Sequence, residues 1–383
     1  MEFTEPPPFT VEAQGHTLTF YPAGRDRLAA LLDLIASAKT SIRMCFYIFA
    51  KDVSGAAVRD ALSEAARRGV AVDLLLDGFG ADAGEDFFAP MCEAGGRYSC
   101  FSAKWSQRYL IRNHQKIVVV DDRVAMIGGF NVEDSYFASP EEKGWVDLGV
   151  VLEGSAVSDL SRWYDRLDAW VHGKRHSWRE VRRMVREWDP GSGPVRVLIG
   201  GPTRGLSSWA RCVRTDLTGA KKLDMIMAYF SPANRSLRAI GTVARRGGVR
   251  LVLAGKSDNG ATIGATRSLY DYLLKRRAKI WEFAATKLHT KLIVIDDKSY
   301  IGSANFDMRS LFLNLEVMLR IEDAALAERL SRHIDDHLAG STHITPALHK
   351  KRAGLLNRIR WNASWFLVAV VDYTVSRRLN LGL

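Results

Sequence analysis

One short pattern occurs twice in this chain, each time just before an apolar run that is too hydrophobic to be exposed. The first copy reads NHQKIVVVDD over Asn113–Asp122, and the second reads LHTKLIVIDD over Leu288–Asp297. Because side chains alternate between the two faces of a β-strand, the histidine and the lysine of each copy share one face. A chain that repeats such a strand is predicted to fold as two copies of one structural unit.

The segments that precede the two copies also match each other. AKTSIRMCFYIF, over Ala38–Phe49, aligns without gaps with AKKLDMIMAYFS, over Ala220–Ser231, and both read as buried strands. In each half a helix then ends at arginine and glycine, and an apolar strand follows. Alternating strands and helices predict the α/β fold class, with two pseudo-symmetric α/β sandwich domains. Because each half carries one copy of the histidine-lysine pair, we expect an active site at their interface.

A turn-rich segment, DPGSGP, marks the boundary between the two halves. We predict a first half at residues 1–172, a basic linker at 173–194, a second half at 195–342 and a basic amphipathic tail at 343–383. The linker has the basic and aromatic composition of a helix that binds anionic lipid or nucleic-acid phosphates. Its alternative is a helix with one solvated face.

The tail combines basic residues with an apolar run. Arg358, Arg360, Arg377 and Arg378 surround Trp361, Trp365 and the apolar run Phe366–Val371, which with Trp365 makes seven consecutive apolar residues. Such a segment is too short to span a bilayer but suits a helix that lies in the membrane interface. The alternative is a terminal helix packed on the domain.

The charge of the chain favours an anionic partner. Its 383 residues include 54 Lys and Arg against 43 Asp and Glu, for a formal net charge of +11, which suits nucleic acid or an acidic membrane surface; a generic basic surface is the alternative. The four cysteines have neither zinc-binding nor disulfide-framework spacing. The N-terminus lacks a signal-peptide pattern, and no run of 18 apolar residues predicts a spanning helix. We therefore expect a cytoplasmic protein associated peripherally with the inner face of the cell membrane.

Each histidine-lysine strand is followed by a turn and a returning strand, VAMIGGFN or SYIGSANF. A turn centred between Asp122 and Arg123 in the first hairpin, and on Asp297 in the second, predicts which residues face each other. The predicted opposite pairs are His114 with Asn131, Lys116 with Gly129, His289 with Asn305, and Lys291 with Ser303. Both hairpins would then present histidine, lysine and asparagine on one face, with small residues that let a ligand approach closely.

This set of side chains suits phosphoryl transfer. Lysine supplies positive charge and asparagine a neutral donor for the oxygens of a phosphate. One neutral imidazole can attack phosphorus while the other, protonated, gives a proton to the leaving oxygen. We expect no cofactor and no metal, because the lysines neutralise the phosphate charge. The loop GGPTRG, after the strand VRVLIG, has no nucleotide-binding pattern and is predicted to lie near the mouth of the site.

The residues resemble the phospholipase D superfamily, whose mark is HxK, four residues, D and then G[SG]xN, present twice. The first copy here is His114, Lys116, Asp121, Gly128, Gly129 and Asn131, and the second is His289, Lys291, Asp296, Gly302, Ser303 and Asn305. The flanks, with WVDL after the first copy and IGSANFDMRSLFLNLE around the second, look like those of bacterial cardiolipin synthases. The resemblance covers about residues 15–340.

The resemblance implies roles for further residues. An acidic residue downstream of each motif, Asp147 or Glu316, is implied to orient that motif's histidine through its other ring nitrogen, while Asp121 and Asp296 would hold turns. Gly129 stands where many members have serine, which implies one hydroxyl fewer near the phosphate. The second hairpin is one residue shorter than the first, which implies a tighter turn. Family habit favours His114 as the nucleophile, although the sequence itself leaves this open.

The function implied is phosphatidyl transfer of cardiolipin synthase type, through a phosphohistidine, to an alcohol such as phosphatidylglycerol. The expected partners are phospholipids and an anionic membrane surface rather than nucleic acid. The sequence is also compatible with three alternatives: a phospholipase D that hydrolyses headgroups, a metal-independent nuclease of the same superfamily, and a non-catalytic membrane-binding protein.

Overall fold

The strands build two large sheets that have closely similar topologies. The computed structural model describes residues 3–101, 111–173, 177–257 and 259–372, and among these residues each large sheet has eight strands. The first sheet, in spatial order β1-β2-β9-β7-β6-β3-β4-β5, consists of β1 Phe9–Ala13, β2 His16–Tyr21, β3 Ser41–Phe46, β4 Ala71–Asp77, β5 Arg97–Phe101, β6 Ile117–Val120, β7 Val124–Gly128 and β9 Gly149–Glu153.

The second sheet repeats this order with later strands. In spatial order β10-β19-β17-β16-β11-β13-β14-β20, it consists of β10 Val195–Gly200, β11 Leu223–Met227, β13 Val249–Ala254, β14 Lys279–Phe283, β16 Lys291–Ile295, β17 Lys298–Gly302, β19 Glu316–Glu322 and β20 Ser341–His343. The central strands β6 and β16 carry the repeated pattern. Strand β6 lies between β3 and its hairpin partner β7, and β16 lies between β11 and its hairpin partner β17; all four pairings are antiparallel. The α/β class and the duplication predicted from the sequence are confirmed.

Two short pairings complete the strands of the described residues: β8 Trp145–Val146 with β15 Lys287–Leu288, and β12 Phe230–Ser231 with β18 Phe306–Asp307. The helices are α1 Gly24–Ser37, α2 Val53–Arg67, α3 Ala89–Glu93, α4 Asp134–Phe137, α5 Ala156–Val171, α6 Trp178–Arg186, α7 Ser208–Leu217, α8 Asn234–Arg245, α9 Gly260–Ser268, α10 Tyr270–Leu274, α11 Met308–Phe312, α12 Ala324–Asp336, α13 Pro346–Arg352 and α14 Leu355–Trp365, with a 3₁₀ turn at Glu85–Phe88 and a π-helical stretch at Phe366–Asp372.

The apolar runs are buried on both faces of their sheets. In β6, Ile117 and Val119 lie in a central core shared by the two sheets, whereas Val118 and Val120 lie in an outer core with α1 and α2. Strand β16 divides its residues between the central core and a second outer core in the same way. Burial of each such side chain contributes about 1.5–3 kcal/mol. This explains why these strands are uniformly apolar instead of alternating with polar residues.

The helix ends follow the chemistry of the sequence. Helix α2 ends at Arg67 with Gly69 at φ 88°, and α8 ends at Arg245 with Gly247 at φ 80°. Glycine adopts this left-handed conformation without the steric cost of a Cβ atom. Both predicted stops are confirmed, and each leads directly into a parallel strand of its sheet.

The register of both predicted hairpins is wrong by one residue. Ile117 faces Ile127 across a three-residue turn, and Leu292 faces Ile301 across a two-residue turn. Continuing these registers places Gly128 level with Lys116 and Gly302 level with Lys291, so Gly129, Ser303 and the two asparagines are not at the predicted opposite positions. The cause is the turn, where Asp121, Asp122 and Asp296 adopt positive φ and shift its centre. The second turn is nevertheless the shorter one.

The tail packs on the second half through one face only. Trp361 is buried against the ring of His349, and Ser364 lies against Gly264 of α9. The opposite face exposes five large apolar side chains: Leu355, Leu356, Ile359, Phe366 and Leu367. Arg377 and Arg378, part of the sequence prediction, lie outside the described residues. Within the described ranges, no helix has both the length and the hydropathy required to cross a bilayer.

Candidate active site

The two histidines are fixed by backbone hydrogen bonds that cross between the halves. The amide of His114 donates to the carbonyl oxygen of Leu315 at 2.9 Å, and the amide of His289 donates to that of Val146 at 2.7 Å. His114 lies three residues before the start of β6, and His289 lies two residues before the start of β16. The same arrangement therefore occurs twice, with the halves exchanged.

The residue after each of these carbonyl groups is an acid that contacts the same histidine. Nδ1 of His114 lies 3.0 Å from Oε2 of Glu316, and Nδ1 of His289 lies 2.7 Å from Oδ2 of Asp147. The sequence implied that each acid orients the histidine of its own motif, and this pairing is wrong. The pairs are crossed because the backbone of each histidine is bonded to the other half, where Glu316 is the first residue of β19 and Asp147 directly follows β8.

These contacts set the form of both rings. A neutral imidazole that donates Nδ1–H to a carboxylate keeps the lone pair of Nε2 for chemistry. Burial, partly opposed by the charge of Glu316, lowers the pKa of His114. Burial and the charge of Lys291 lower the pKa of His289 to about 3. Both rings are therefore neutral near pH 7 in the unliganded protein.

Asp147 remains charged despite its burial. Burial alone would raise the pKa of Asp147, but the charge of Lys291 and the hydrogen bond with His289 hold it below its ordinary value. Glu316 is fully buried as well, between His114 and Ser303. An acidic side chain behind each ring stabilises the imidazolium that forms during a reaction.

The two lysines lie in the same buried region. Nζ of Lys116 donates to the carbonyl oxygen of His114 at 2.7 Å, and Nζ of Lys291 donates to that of His289. The positive charge of each lysine lowers the pKa of both histidines, which places all four groups within one electrostatic site. Burial, partly offset by Glu316 and reinforced by Lys291, lowers the pKa of Lys116 to about 7. An anion bound here would meet concentrated positive charge.

The two asparagines are buried but differ in their contacts. The side chain of Asn131 donates to the hydroxyl of Tyr136 at 2.8 Å and accepts from the amide of Ile48 at 3.2 Å. Asn305 is 5% exposed, and within the described part of the chain its Oδ1 meets no donor. The site thus contains one asparagine held by its own half and one whose oxygen has no donor among the described residues.

Ser303 and Gly129 both lie against the crossed carboxylates. The hydroxyl of Ser303 donates to Glu316, and it also accepts from the amide of Val317 at 3.1 Å. A Cβ atom at Gly129 would come within 2.6 Å of Oδ1 of Asp147, so the space of the missing side chain is taken by that carboxylate. A serine at position 129 would therefore place its hydroxyl beside Asp147.

Asp121 and Asp296 contact backbone rather than the histidines. Asp121 accepts from the amides of residues 39–41, and Asp296 accepts from those of residues 221 and 222. Each aspartate thus joins its hairpin turn to the start of the neighbouring strand. Burial opposes but does not outweigh these backbone hydrogen bonds, which lower the pKa of Asp121 to about 2.

Several side chains at the site were missed in the sequence. Gln115, between His114 and Lys116, donates to the backbone oxygen of Glu316 at 3.1 Å and accepts from Trp163 at 3.0 Å. Its buried position inside the motif was a usable signal. Arg27, fully buried, donates to the backbone oxygens of Asp147 at 2.8 Å and Tyr136 at 2.6 Å. Nothing in its local sequence distinguishes Arg27 from a surface arginine.

Aromatic rings were also missed. Three of them surround His289, with centroid distances of 5.0 Å to Tyr136, 5.2 Å to Trp145 and 6.4 Å to Tyr229. Tyr47 lies 5.0 Å from His114, whose side chain is 12% exposed against 5% for His289. The ring of His114 is thus the more accessible of the two. Among the residues that the structure describes, no group of three or more His, Cys, Asp or Glu side chains could hold a metal ion.

The chain is similar to known proteins over most of its length. A family model described as cardiolipin synthase, PLD-like domain, matches residues 31–167 and 214–338. Cardiolipin synthase 1 of Bacillus anthracis is 32% identical over 349 residues, which is 86% of this chain and 68% of the relative. Cardiolipin synthase B of Salmonella typhimurium is 29% identical over 326 residues, which is 83% of this chain and 79% of the relative.

Solved structures share the fold. The phosphatidylserine synthase of Haemophilus influenzae matches with a TM-score of 0.74 at 14% identity, over 97% of both chains. The class defined by the duplicated fold and the paired motifs is the phospholipase D-type phosphatidyltransferases. Within that class, the chain belongs to the cardiolipin synthase family of PLD-like domains.

Proposed function

We propose that this protein transfers a phosphatidyl group from one phospholipid to the hydroxyl of another, through a covalent phosphatidyl-histidine. The observation that carries the proposal is the pair of crossed histidine-carboxylate contacts, His114 with Glu316 and His289 with Asp147, beside two buried lysines. Neutral rings with fixed tautomers provide a nucleophile and a proton carrier, and the lysines neutralise a phosphodiester.

His114 is the proposed nucleophile, because its ring is the more exposed of the two. In the first step its Nε2 forms a bond to phosphorus while the bond from phosphorus to the headgroup oxygen breaks. The departing oxygen takes a proton from Nε2 of His289. The charge of Lys291 contributes to the low pKa of His289, so a bound anion that neutralises the lysines raises that pKa and favours the protonated form.

In the second step an acceptor hydroxyl takes the place of the headgroup. It gives its proton to His289, and its oxygen forms a bond to phosphorus as the phosphorus–nitrogen bond breaks. With phosphatidylglycerol as both donor and acceptor, the products are cardiolipin and glycerol. The cardiolipin synthase names of the relatives support this choice of lipid.

The proposed place of action is an anionic membrane surface, at the cytoplasmic face expected from the sequence. The exposed apolar face of the tail, formed by Leu355, Leu356, Ile359, Phe366 and Leu367, supports this proposal, and Arg358 and Arg360 lie among these residues. Apolar side chains that insert into the headgroup region, together with cations that attract anionic lipids, are typical of interfacial helices.

The transfer is tested with the purified full chain and vesicles of phosphatidylglycerol labelled in the acyl chains. We expect labelled cardiolipin and one glycerol per cardiolipin, at a rate that EDTA leaves unchanged. Phosphatidic acid as the sole labelled product would mean hydrolysis and would contradict transfer. Absence of any lipid product, with cleavage of single-stranded DNA instead, would identify the nuclease alternative.

Membrane attachment is tested separately by vesicle flotation. Leu356→Glu combined with Ile359→Glu should reduce co-flotation with phosphatidylglycerol vesicles at least tenfold, because two charges replace inserted apolar side chains. A control, Val53→Glu, alters another exposed apolar residue, 78% accessible and outside the tail, and should float like the unaltered protein. Equal flotation of all three proteins would contradict the proposal.

A further inference from the structure

A cavity of about 340 Å³ beside helix α6 is lined mainly by arginines. Its lining consists of Arg179, Arg182, Arg183, Arg186, Arg204, Thr203 and Gly205. Four of the arginines follow the spacing i, i+3, i+4, i+7, so they occupy one face of α6, while Trp178, Val181 and Val185 bury the other. We call this the arginine cavity.

Among the described residues, carboxylates pair with only some of the arginines of the arginine cavity. Arg186 forms an ion pair with Glu187 at 3.0 Å. For Arg179, Arg183 and Arg204, no carboxylate lies within ion-pair distance among the described residues. Like charges at these helical spacings repel each other, and an anion bound between them would relieve that repulsion. Guanidinium groups match the geometry of phosphate oxygens especially well.

A second cavity, of about 430 Å³, adjoins the first; most of its surface is apolar, and Arg214 and Arg235 also line it. The two share Thr203, Arg204 and Gly205 in their linings. The remaining apolar lining includes Leu206, Ala210, Ala233, Met308, Leu311 and Phe312. We call this the apolar cavity. A charged cavity that is continuous with an apolar one fits an amphiphile with an anionic head.

Both cavities lie on segments that lead directly away from the active site. The loop that contains Thr203 and Arg204 follows Gly200, which faces Glu316 in the pairing of β10 with β19. Helix α11, which lines the apolar cavity, begins three residues after Asn305. The loop that the sequence predicts to lie near the mouth of the site thus connects the catalytic carboxylate to the two cavities.

We propose that the joined cavities bind a second phospholipid molecule, with its phosphate in the arginine cavity and an acyl chain in the apolar cavity. The inference rests on the lipid substrate class of the proposed function, but this site is distinct from the histidines and does not depend on their chemistry. It supplies a holding site for an anionic lipid beside the site of transfer.

The test uses isothermal titration calorimetry to measure how many molecules of monomeric dihexanoyl phosphatidylglycerol bind to the full chain. The chain and all its variants carry His114→Ala, which prevents turnover of the lipid during the titration. The chain with this single change should bind two molecules. The variant Arg179→Gln/Arg183→Gln/Arg204→Gln should bind one, with affinity for the second reduced at least tenfold. The control Arg67→Gln/Arg123→Gln/Arg332→Gln removes the same charge from exposed arginines that line neither cavity and should still bind two.

A second variant and a second probe separate lipid from free phosphate. Ala233→Trp, which fills the apolar cavity, should weaken the lipid at the second site at least tenfold and leave glycerol 3-phosphate unaffected. Equal affinity for glycerol 3-phosphate and for the lipid would overturn the lipid assignment, as would two bound lipids in the triple arginine variant. The lipid assignment would also be overturned if binding of a short single-stranded oligonucleotide required the three arginines while binding of the lipid did not.

The cardiolipin assay distinguishes this inference from the proposed function. Transfer by a protein that binds a single lipid would refute the second site and leave the function standing. Two bound lipids without transfer would support the second site and refute the proposed function.

Discussion

The two halves contribute the same kind of histidine to the site but surround it differently. His114 is 12% exposed, touches one aromatic ring and is backed by Glu316, to which Ser303 donates a hydrogen bond. His289 is 5% exposed and is enclosed by three aromatic rings, and its acid, Asp147, fills the space where a serine side chain would lie. Duplication thus supplied two equivalent frames, and differences in packing give them different access to solvent. This difference is the basis for assigning attack to the first ring and proton transfer to the second.

Removal of either ring tests whether the two act as a unit. His114→Ala and His289→Ala should each lower transfer by roughly three or more powers of ten, and the double variant should be no worse than the singles, because nucleophile and acid serve the same step. The measurement is cardiolipin formation from phosphatidylglycerol vesicles, with thermal unfolding as the control for folding. Near-full activity of either single variant would contradict the account.

Exchange of the carboxylates for amides tests the crossed pairing. Asp147→Asn and Glu316→Gln should each cost about 10²–10⁴ in kcat, because an amide can favour the wrong tautomer and does not stabilise the imidazolium. In ¹⁵N NMR of the imidazoles, Asp147→Asn should alter mainly His289, and Glu316→Gln mainly His114. The opposite correspondence would mean that each acid serves the histidine of its own half.

The serine–glycine difference is tested by a matched pair of substitutions. Ser303→Ala removes only a hydroxyl that donates to Glu316, which costs about 1.5–3 kcal/mol, or roughly ten- to hundredfold in rate. Gly129→Ala adds only a methyl group, which would collide with Asp147 and should reduce transfer by a similar factor. Transfer rates and melting temperatures are measured together. Full activity of Gly129→Ala would show that Asp147 can move without loss.

The charge of Lys116 predicts the pH dependence. Its pKa of about 7 in the unliganded protein means that the positive charge needed to bind phosphate is present below pH 7 and is lost above it. With a soluble short-chain substrate, kcat/KM should fall about tenfold per pH unit above roughly pH 7. In Lys116→Arg the fall should shift to higher pH, since arginine stays charged. A flat profile to pH 9 in the unaltered protein would refute this role.

Much of the fold followed from the sequence because the repeat is local. The strands around His114 and His289, and the helix stops at Gly69 and Gly247, depend on alternation and on glycine, which neighbouring residues reveal. The hairpin registers did not follow, because the turn centre depends on whether an aspartate such as Asp122 adopts positive φ.

The crossed pairs could not be found in the same way. Asp147 and Glu316 were correctly singled out, but which ring each contacts is decided by how the two sheets meet, and no local pattern records that. Arg27 was missed for a related reason, since its partners at the site, the backbone oxygens of Asp147 and Tyr136, are more than a hundred positions away. The aromatic enclosure of His289 likewise combines side chains from both halves.

The central claim, covalent transfer through one ring, is tested most directly by trapping the intermediate. The protein is mixed with phosphatidylglycerol, quenched within milliseconds at alkaline pH, where a phosphorus–nitrogen bond survives, and digested for mass spectrometry. The account predicts one phosphatidyl group on the peptide that contains His114, and no adduct in His114→Ala. An adduct on the peptide of His289 alone, or no adduct on either while cardiolipin forms, would contradict it.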